Sequence, residues 1–338
     1  MKYNFVMFAS NMDFYKYMYR DAENMAYIKF YSGTDGLLTK PEKVLHSIHV
    51  NRNLNRKFKI PFKKVWYYLI LKRIRFQDKK PVCYIWTTFF MKDIENGMVD
   101  YIRKKQPDSK HVFFFTDEKF VRQDGEYLKK KMDALTVFDP AVAEHYHIGF
   151  VPNVYPSTPH QTDRCGNKLL YDICFIGNER GREKKLQDIA LLCNKTGLKT
   201  AFYLKKEDNA EFTDNKTGIH YISSYMPYGE VLDIVKASKC VLELMVETNR
   251  TCSLRVQEAV IYGKKILTDN PCITQMPCCD HHQNISIFQN VEDININFLK
   301  EYSEADYHYN GEFSLEKWLY MIEKLITEKE GNEECLEN

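Results

Sequence analysis

Two stretches of this 338-residue chain carry residue types suited to gripping an anion. In the first, YDICFIGNERGRE (171–183), an apolar run ends on Gly177, and a polar turn with Arg180, Gly181 and Arg182 leads into a helical pattern. Glycine lets the backbone approach a ligand, a helix start offers unpaired N–H groups, and two guanidinium groups can pair with phosphate oxygens. The combination suits an anion, most simply a diphosphate; a plain strand-to-helix turn with solvated arginines is the alternative. Neither G-x-x-x-x-G-K-S/T nor G-x-G-x-x-G occurs here, so this is not a Walker A loop or the dinucleotide fingerprint.

The second stretch is NRTCSLRVQEAVIYGKKILTDN (249–270). Its helical pattern starts at Ser253, places Arg255 and Glu258 three apart on one face near the N-terminus, and stops at Gly263. Ser253 and Arg255 can hold phosphate, and a carboxylate one turn further on can accept both hydroxyls of a ribose. Anion followed by sugar hydroxyl is the order a nucleotide presents. An ordinary Arg/Glu surface pair is the other reading.

These stretches need a scaffold, and the surrounding pattern predicts one. Apolar runs at 3–10, 81–90, 111–117 and 134–139 suit buried parallel strands, with helical patterns at 65–75, 93–105 and 118–131 between them. A second, more regular block predicts strands at 171–177, 200–204, 219–223, 239–245 and 264–269, and helices at 182–194, 228–237 and 253–262. Alternating strands and helices imply an α/β chain of two Rossmann-like domains facing across a cleft. The expected division is residues 1–152, a Pro- and Thr-containing linker at 153–168, residues 169–312, and a closing amphipathic helix at 313–330.

Composition sets the outer limits. Hydrophobic residues make up 44% and charged residues 28%, enough for sizeable cores and against global disorder. Ten cysteines without repeated C-x-x-C spacing, and no basic-then-apolar leader, lead to the expectation of a reduced, cytoplasmic chain. No apolar run approaches the ~18 residues of a membrane span. The net charge of +2 conceals a segregated block: residues 40–80 hold thirteen Lys/Arg against Glu42 and Asp78, a local charge of +11 among aromatics such as Phe58, Phe62, Trp66, Tyr67 and Tyr68. Such a block can face anionic lipid, nucleic acid or a phosphorylated substrate, or be a solvated face. Nucleic acid is the weaker partner, since no recognition motif accompanies the charge.

The strand, Gly177, polar turn and helix, followed some eighty residues later by E-A-x-x-x-G-K-K-I-L-T, resemble the C-terminal half of GT-B glycosyltransferases of bacterial capsule and lipopolysaccharide assembly. On that frame stand Asn249, Thr251, Cys252, Ser253, Arg255, Glu258, Ala259, Gly263, Lys264, Lys265, Thr268 and Asn270. The likeness extends to MDALTVFDPAVAEHYHIGFVPNVY (132–155) and HHQNISIF (281–288). It implies a glycosyltransferase moving a sugar from a nucleotide-sugar donor to a glycan or lipid-linked acceptor in cell-surface polysaccharide synthesis. An epimerase or hydrolase of the same fold, or a nonenzymatic membrane- or polyanion-binding protein, are the alternatives. Gly177, Arg180, Arg182, Ser253 and Arg255 would then serve the phosphates and Glu258 the ribose, with the basic block at the acceptor or the inner face of the membrane.

Asn249 and Thr251 stand where the family pattern shows Gln and Gly, and Arg250 stands where retaining members carry a first Glu, with Glu243 and Glu247 as nearby acids. An inverting enzyme would draw a general base from the first domain. Asp13 after the first strand is the candidate and Asp117 the reserve, either of which can instead cap a helix. No D-x-D occurs, CCDHH (278–282) lacks the partner pair of a zinc site, and His145 and His147 lie outside any H-E-x-x-H. The expectation is a metal-independent enzyme without a cofactor, the nucleotide-sugar being a substrate.

Overall fold

The computed structural model describes residues 1–58, 60–156, 168–206, 211–246, 253–276, 278–279 and 282–336. It divides into two compact units, Met1–Pro156 with Ser314–Asn338, and Ser157–Phe313.

The first unit opens with β1 (Asn4–Ala9), α1 (Asp13–Met18), β2 (Ile28–Ser32), α2 (Lys40–His49), α3 (Arg52–Lys57), α4 (Lys64–Arg73) and β3 (Val82–Trp86). It continues through α5 (Met91–Glu95), α6 (Met98–Lys105), β4 (Lys110–Phe115), α7 (Glu118–Lys129), β5 (Ala134–Val137), α8 (Pro140–Tyr146) and β6 (Gly149–Phe150). Its six strands are all parallel in the order β2-β1-β3-β4-β5-β6. All six residues of β1 are buried, as expected of a central parallel strand covered on both faces. Phe8, Tyr84, Trp86, Phe90 and Phe113 form one aromatic core with Val99 and Ile102 of α6.

Local chemistry explains where the sequence pattern was broken. The helix expected over 93–105 is two helices, because Gly97 takes φ +90° and turns the chain between α5 and α6. The strand expected over 81–90 ends at Trp86; the Thr87 hydroxyl then donates to Phe8 O (2.9 Å) and residues 88–90 form a short 3₁₀ turn that puts Phe90 into the core. Helix α8 starts sharply because Asp139 accepts from Ala141 N (2.9 Å) and Val142 N (3.1 Å) while Pro140 occupies the first turn.

The second unit holds β7 (Tyr171–Asn178), α9 (Glu183–Lys195), β8 (Thr200–Lys205), β9 (Phe212–Thr213), β10 (His220–Ile222), α10 (Tyr228–Lys236), β11 (Ser238–Glu243), α11 (Leu254–Ile261), β12 (Lys265–Thr268), β13 (Ile285–Ile287) and α12 (Ile296–Lys300). The sheet order is β13-β12-β11-β7-β8-β10-β9, parallel except for the β9 edge strand. Counting the parallel strands in chain order, this is the 3-2-1-4-5-6 arrangement of a dinucleotide-binding fold. The terminal helix α13 (Leu315–Leu336) belongs to the first unit, where Trp318 meets Phe114 edge-on at 5.4 Å and Tyr19 at 6.1 Å.

Candidate functional site

In the second unit the chain leaves β7 toward β8 and β10 on one side and later fills β11, β12 and β13 on the other. The carboxyl ends of β7 and β11 therefore flank the switch point where open α/β sheets bind ligands. Gly177 lies at the end of β7, Arg180 and Arg182 in the turn after it, and Ser253, Arg255 and Glu258 on α11, which packs on β11. Arg255 Nε donates to Ile176 O in β7 (3.3 Å), so the two stretches singled out from sequence meet across the switch.

Within the turn the two arginines differ in setting. Arg182 NH1 donates to Leu244 O (3.0 Å) and NH2 to Asn178 O, tying the ends of β11 and β7 together, while its guanidinium lies 5.3 Å from the Phe175 ring. Burial, reinforced by Arg180, lowers its pKa. A Cβ on Gly177 would come within 3.1 Å of Arg182 NH2 and of Phe175, so this glycine makes room for the guanidinium itself. Arg180 is exposed, with φ +38°, and Gly181 follows at φ +79° with its N–H on Glu179 Oε1 (3.1 Å).

Helix α11 is braced by buried acids. Ser253 stands at its N-cap position without a side-chain cap and donates its backbone N–H to Glu243 Oε1 (2.6 Å), and Thr268 donates to Glu243 Oε2 (2.8 Å). Burial raises the Glu243 pKa against these hydrogen bonds. Glu258 is fully buried: Oε1 accepts from the Tyr228 hydroxyl (2.7 Å) and Oε2 from Arg255 NH1. A ribose contact needs an accessible carboxylate; Glu258 instead has both oxygens on protein donors. The Arg255 side chain keeps 19% of its exposure, and although burial opposes its charge, Glu258 and Tyr228 raise its pKa overall.

Beside the turn, at the ends of β7 and β8, is a cavity of about 480 Å³ lined by Asn178, Glu179, Arg180, Glu183, Lys205, Lys206 and Tyr225. Its size is that of a small-molecule site. Lys206 Nζ pairs with Glu183 (2.9 Å), Lys205 Nζ lies 4.7 Å from the Tyr225 ring, and Tyr225 is 63% exposed. The described lining residues, three cations against two acids, favour an anionic ligand, and Tyr225 offers a ring face for a planar group. Lys205, Lys206 and Tyr225 were not among the sequence candidates. Their signal was position: Lys205 ends the strand TAFYLK, and Tyr225 follows the strand HYI.

In the first unit, Asp13 is exposed and opens α1 beyond β1, where the order β2-β1-β3 makes that sheet's own switch. Asp117 caps α7, its carboxylate accepting from Lys119 N (2.9 Å). Tyr15 of α1 hydrogen-bonds Thr116, the residue before Asp117. Of the pair, Asp117 already has a helix-capping role.

Glu247, Asn249, Arg250, Thr251, Cys252, Asp280 and His281 lie outside the described residues. Among the described residues no group of three or more His, Cys, Asp or Glu is gathered as a metal site, and no helix is long and apolar enough to cross a membrane.

No protein-family model matches the chain, and no curated protein matches its sequence. Solved structures do resemble it. An α-glucosyltransferase in complex with UDP-glucose and DNA containing an abasic site shares 12% identity and a TM-score of 0.56, over 96% of this chain and 99% of that one. An α-glucosyltransferase in complex with UDP and a 13-mer DNA gives 11% and 0.55 over the same shares. A UDP-forming α,α-trehalose-phosphate synthase from Burkholderia xenovorans gives 11% and 0.51, again over 96% and 99%. The fold is the GT-B type, two Rossmann-like units of parallel sheet.

Proposed function

We propose that the chain is a metal-independent glycosyltransferase that holds a nucleotide-sugar donor on its second unit and transfers the sugar to a glycan or lipid-linked acceptor in cell-surface polysaccharide synthesis at the cytoplasmic face of the membrane. One observation carries this reading: the turn after β7, the start of α11 and the cationic cavity converge at the carboxyl edge of a 3-2-1-4-5-6 sheet. The neighbouring solved structures supply the fold-level analogy, two of them being complexes with UDP-glucose and with UDP.

In this reading Arg180 and Lys205, with Ser253 and Arg255 at the start of α11, offset the charge of the diphosphate as its bond to the sugar breaks. Tyr225 offers a stacking face to the base. Arg182 and Glu258 act through others: Arg182 fixes the turn, and Glu258 orients Arg255. For transfer with inversion, Asp13 is the base that takes the proton of the acceptor hydroxyl as that oxygen attacks, with Asp117 as the reserve. Thermal-shift and titration experiments with UDP, GDP, CMP and dTDP, followed by transfer assays with the sugar forms of whichever binds, test the proposal. Nucleotide-sugar turnover to free sugar or an epimer without any acceptor would favour the hydrolase or epimerase.

A further inference from the structure

Helix α2 is built inside out. Val44, Leu45 and Ile48, which share a stripe with Pro41 at helical spacing, are 61%, 53% and 45% exposed. The opposite side carries His46, buried and bonded to Asp93 at 2.8 Å. Helix α4 lies antiparallel beside it: Trp66 Nε1 donates to His49 Nδ1 (2.7 Å) at one end, and Arg73 pairs with Glu42 (2.8 Å) at the other. On α4, Val65 and Tyr68 are exposed, and Phe58 and Phe62, on the chain leading into it, are more exposed still. Lys40, Arg56, Lys57, Lys64 and Lys72 of the same segment form no ion pair among the described residues.

We infer that this face of the first unit docks on an anionic lipid bilayer, its apolar and aromatic side chains entering the headgroup boundary while the cations meet lipid phosphates. Both halves of the surface are then used. A nucleic acid would engage the cations and leave the aliphatic stripe in water. A second copy would set like charge against like across a block of +11. The inference rests on this surface and is independent of the nucleotide site in the other unit.

The test is sedimentation of the full chain with phosphatidylcholine vesicles, with and without phosphatidylglycerol. Two variants separate the contributions: Val44→Ser, Leu45→Ser, Ile48→Ser leaves charge unchanged, and Lys57→Glu, Lys64→Glu, Lys72→Glu leaves the stripe. Arg73 is spared because Glu42 already engages it. Circular dichroism and a nucleoside diphosphate titration on the same samples report the fold and the second unit. The wild type should bind only the anionic vesicles. At about fivefold per cation, the charge reversals should weaken binding at least a hundredfold, and the serine variant should lose tenfold or more. Absent wild-type binding, or binding unchanged in both variants, overturns the proposal. So does a serine variant with full vesicle binding that also retains duplex DNA, which would make the face a polyanion site, or one that merely converts a wild-type dimer to a monomer.

Discussion

Arg255 donates to one oxygen of Glu258, three residues further along α11, while the Tyr228 hydroxyl donates to the other at 2.7 Å. The carboxylate is fully buried, so its removal strands a guanidinium in a largely dry setting. Glu258→Ala should cost about 3–5 kcal/mol of stability, the range for breaking a buried ion pair. Urea unfolding measures this. A Glu258→Ala protein of normal stability that has lost only nucleotide affinity would return Glu258 to a direct ribose contact.

Arg180 and Arg182 should separate cleanly. Arg182→Ala removes charged hydrogen bonds to the carbonyls of Leu244 and Asn178, and is expected to lower stability by roughly 1.5–3 kcal/mol. Arg180→Ala should leave the melting temperature within a degree or two and weaken a nucleoside diphosphate by about 10- to 100-fold, and the monophosphate less. Equal weakening of both ligands would place Arg180 away from the terminal phosphate.

Transfer activity should survive EDTA. The chain lacks D-x-D, and cationic side chains with a helix start are placed to meet the leaving diphosphate. Activity lost on chelation and restored by Mg²⁺ or Mn²⁺ would overturn the metal-independent mechanism.

His111 provides a pH signature for the first unit. It is fully buried, with Trp86 Nε1 donating to its Nδ1 (3.1 Å) and Ser109 beside Nε2 (3.2 Å), and burial together with Arg103 lowers its pKa to about 3. The unfolded chain takes up this proton near pH 6.5, which the folded protein refuses until about pH 3. Its contribution therefore erodes as pH falls through that window, by about 1.4 kcal/mol per unit at most. His111→Gln should show a shallower loss of stability between pH 6 and 4 than the wild type. Parallel curves would assign acid sensitivity to other groups.

Strong patterns survived the passage from sequence to structure where one physical cause dominated. The buried strands β1, β4, β7 and β11 were legible because parallel strands covered on both faces read as unbroken apolar runs. Strand β2 (IKFYS) was not, because it is an edge strand whose middle residues are only half-buried. Helix α2 hid for the opposite reason, its apolar stripe facing solvent and its protein-facing side polar. At the site, the turn and α11 were found by residue type. Their inner division was invisible: whether an arginine faces phosphate or a carbonyl depends on what the folded chain places beside it, as Leu244 is placed beside Arg182. Lys205 and Tyr225 share no motif and come to the cavity only through the β8–β10 pairing.

The carboxyl edge of the second unit should bind a nucleoside diphosphate carrying a sugar. Isothermal titration of the wild type and of Arg180→Ala, Lys205→Ala with UDP, GDP, CMP and dTDP and their sugar conjugates tests it most directly. One nucleotide class should bind at a single site per chain, more tightly as the diphosphate, and at least tenfold more weakly in the double variant while its melting temperature holds. Absence of binding by every nucleotide in a folded wild-type protein, or undiminished affinity in the double variant, would contradict it.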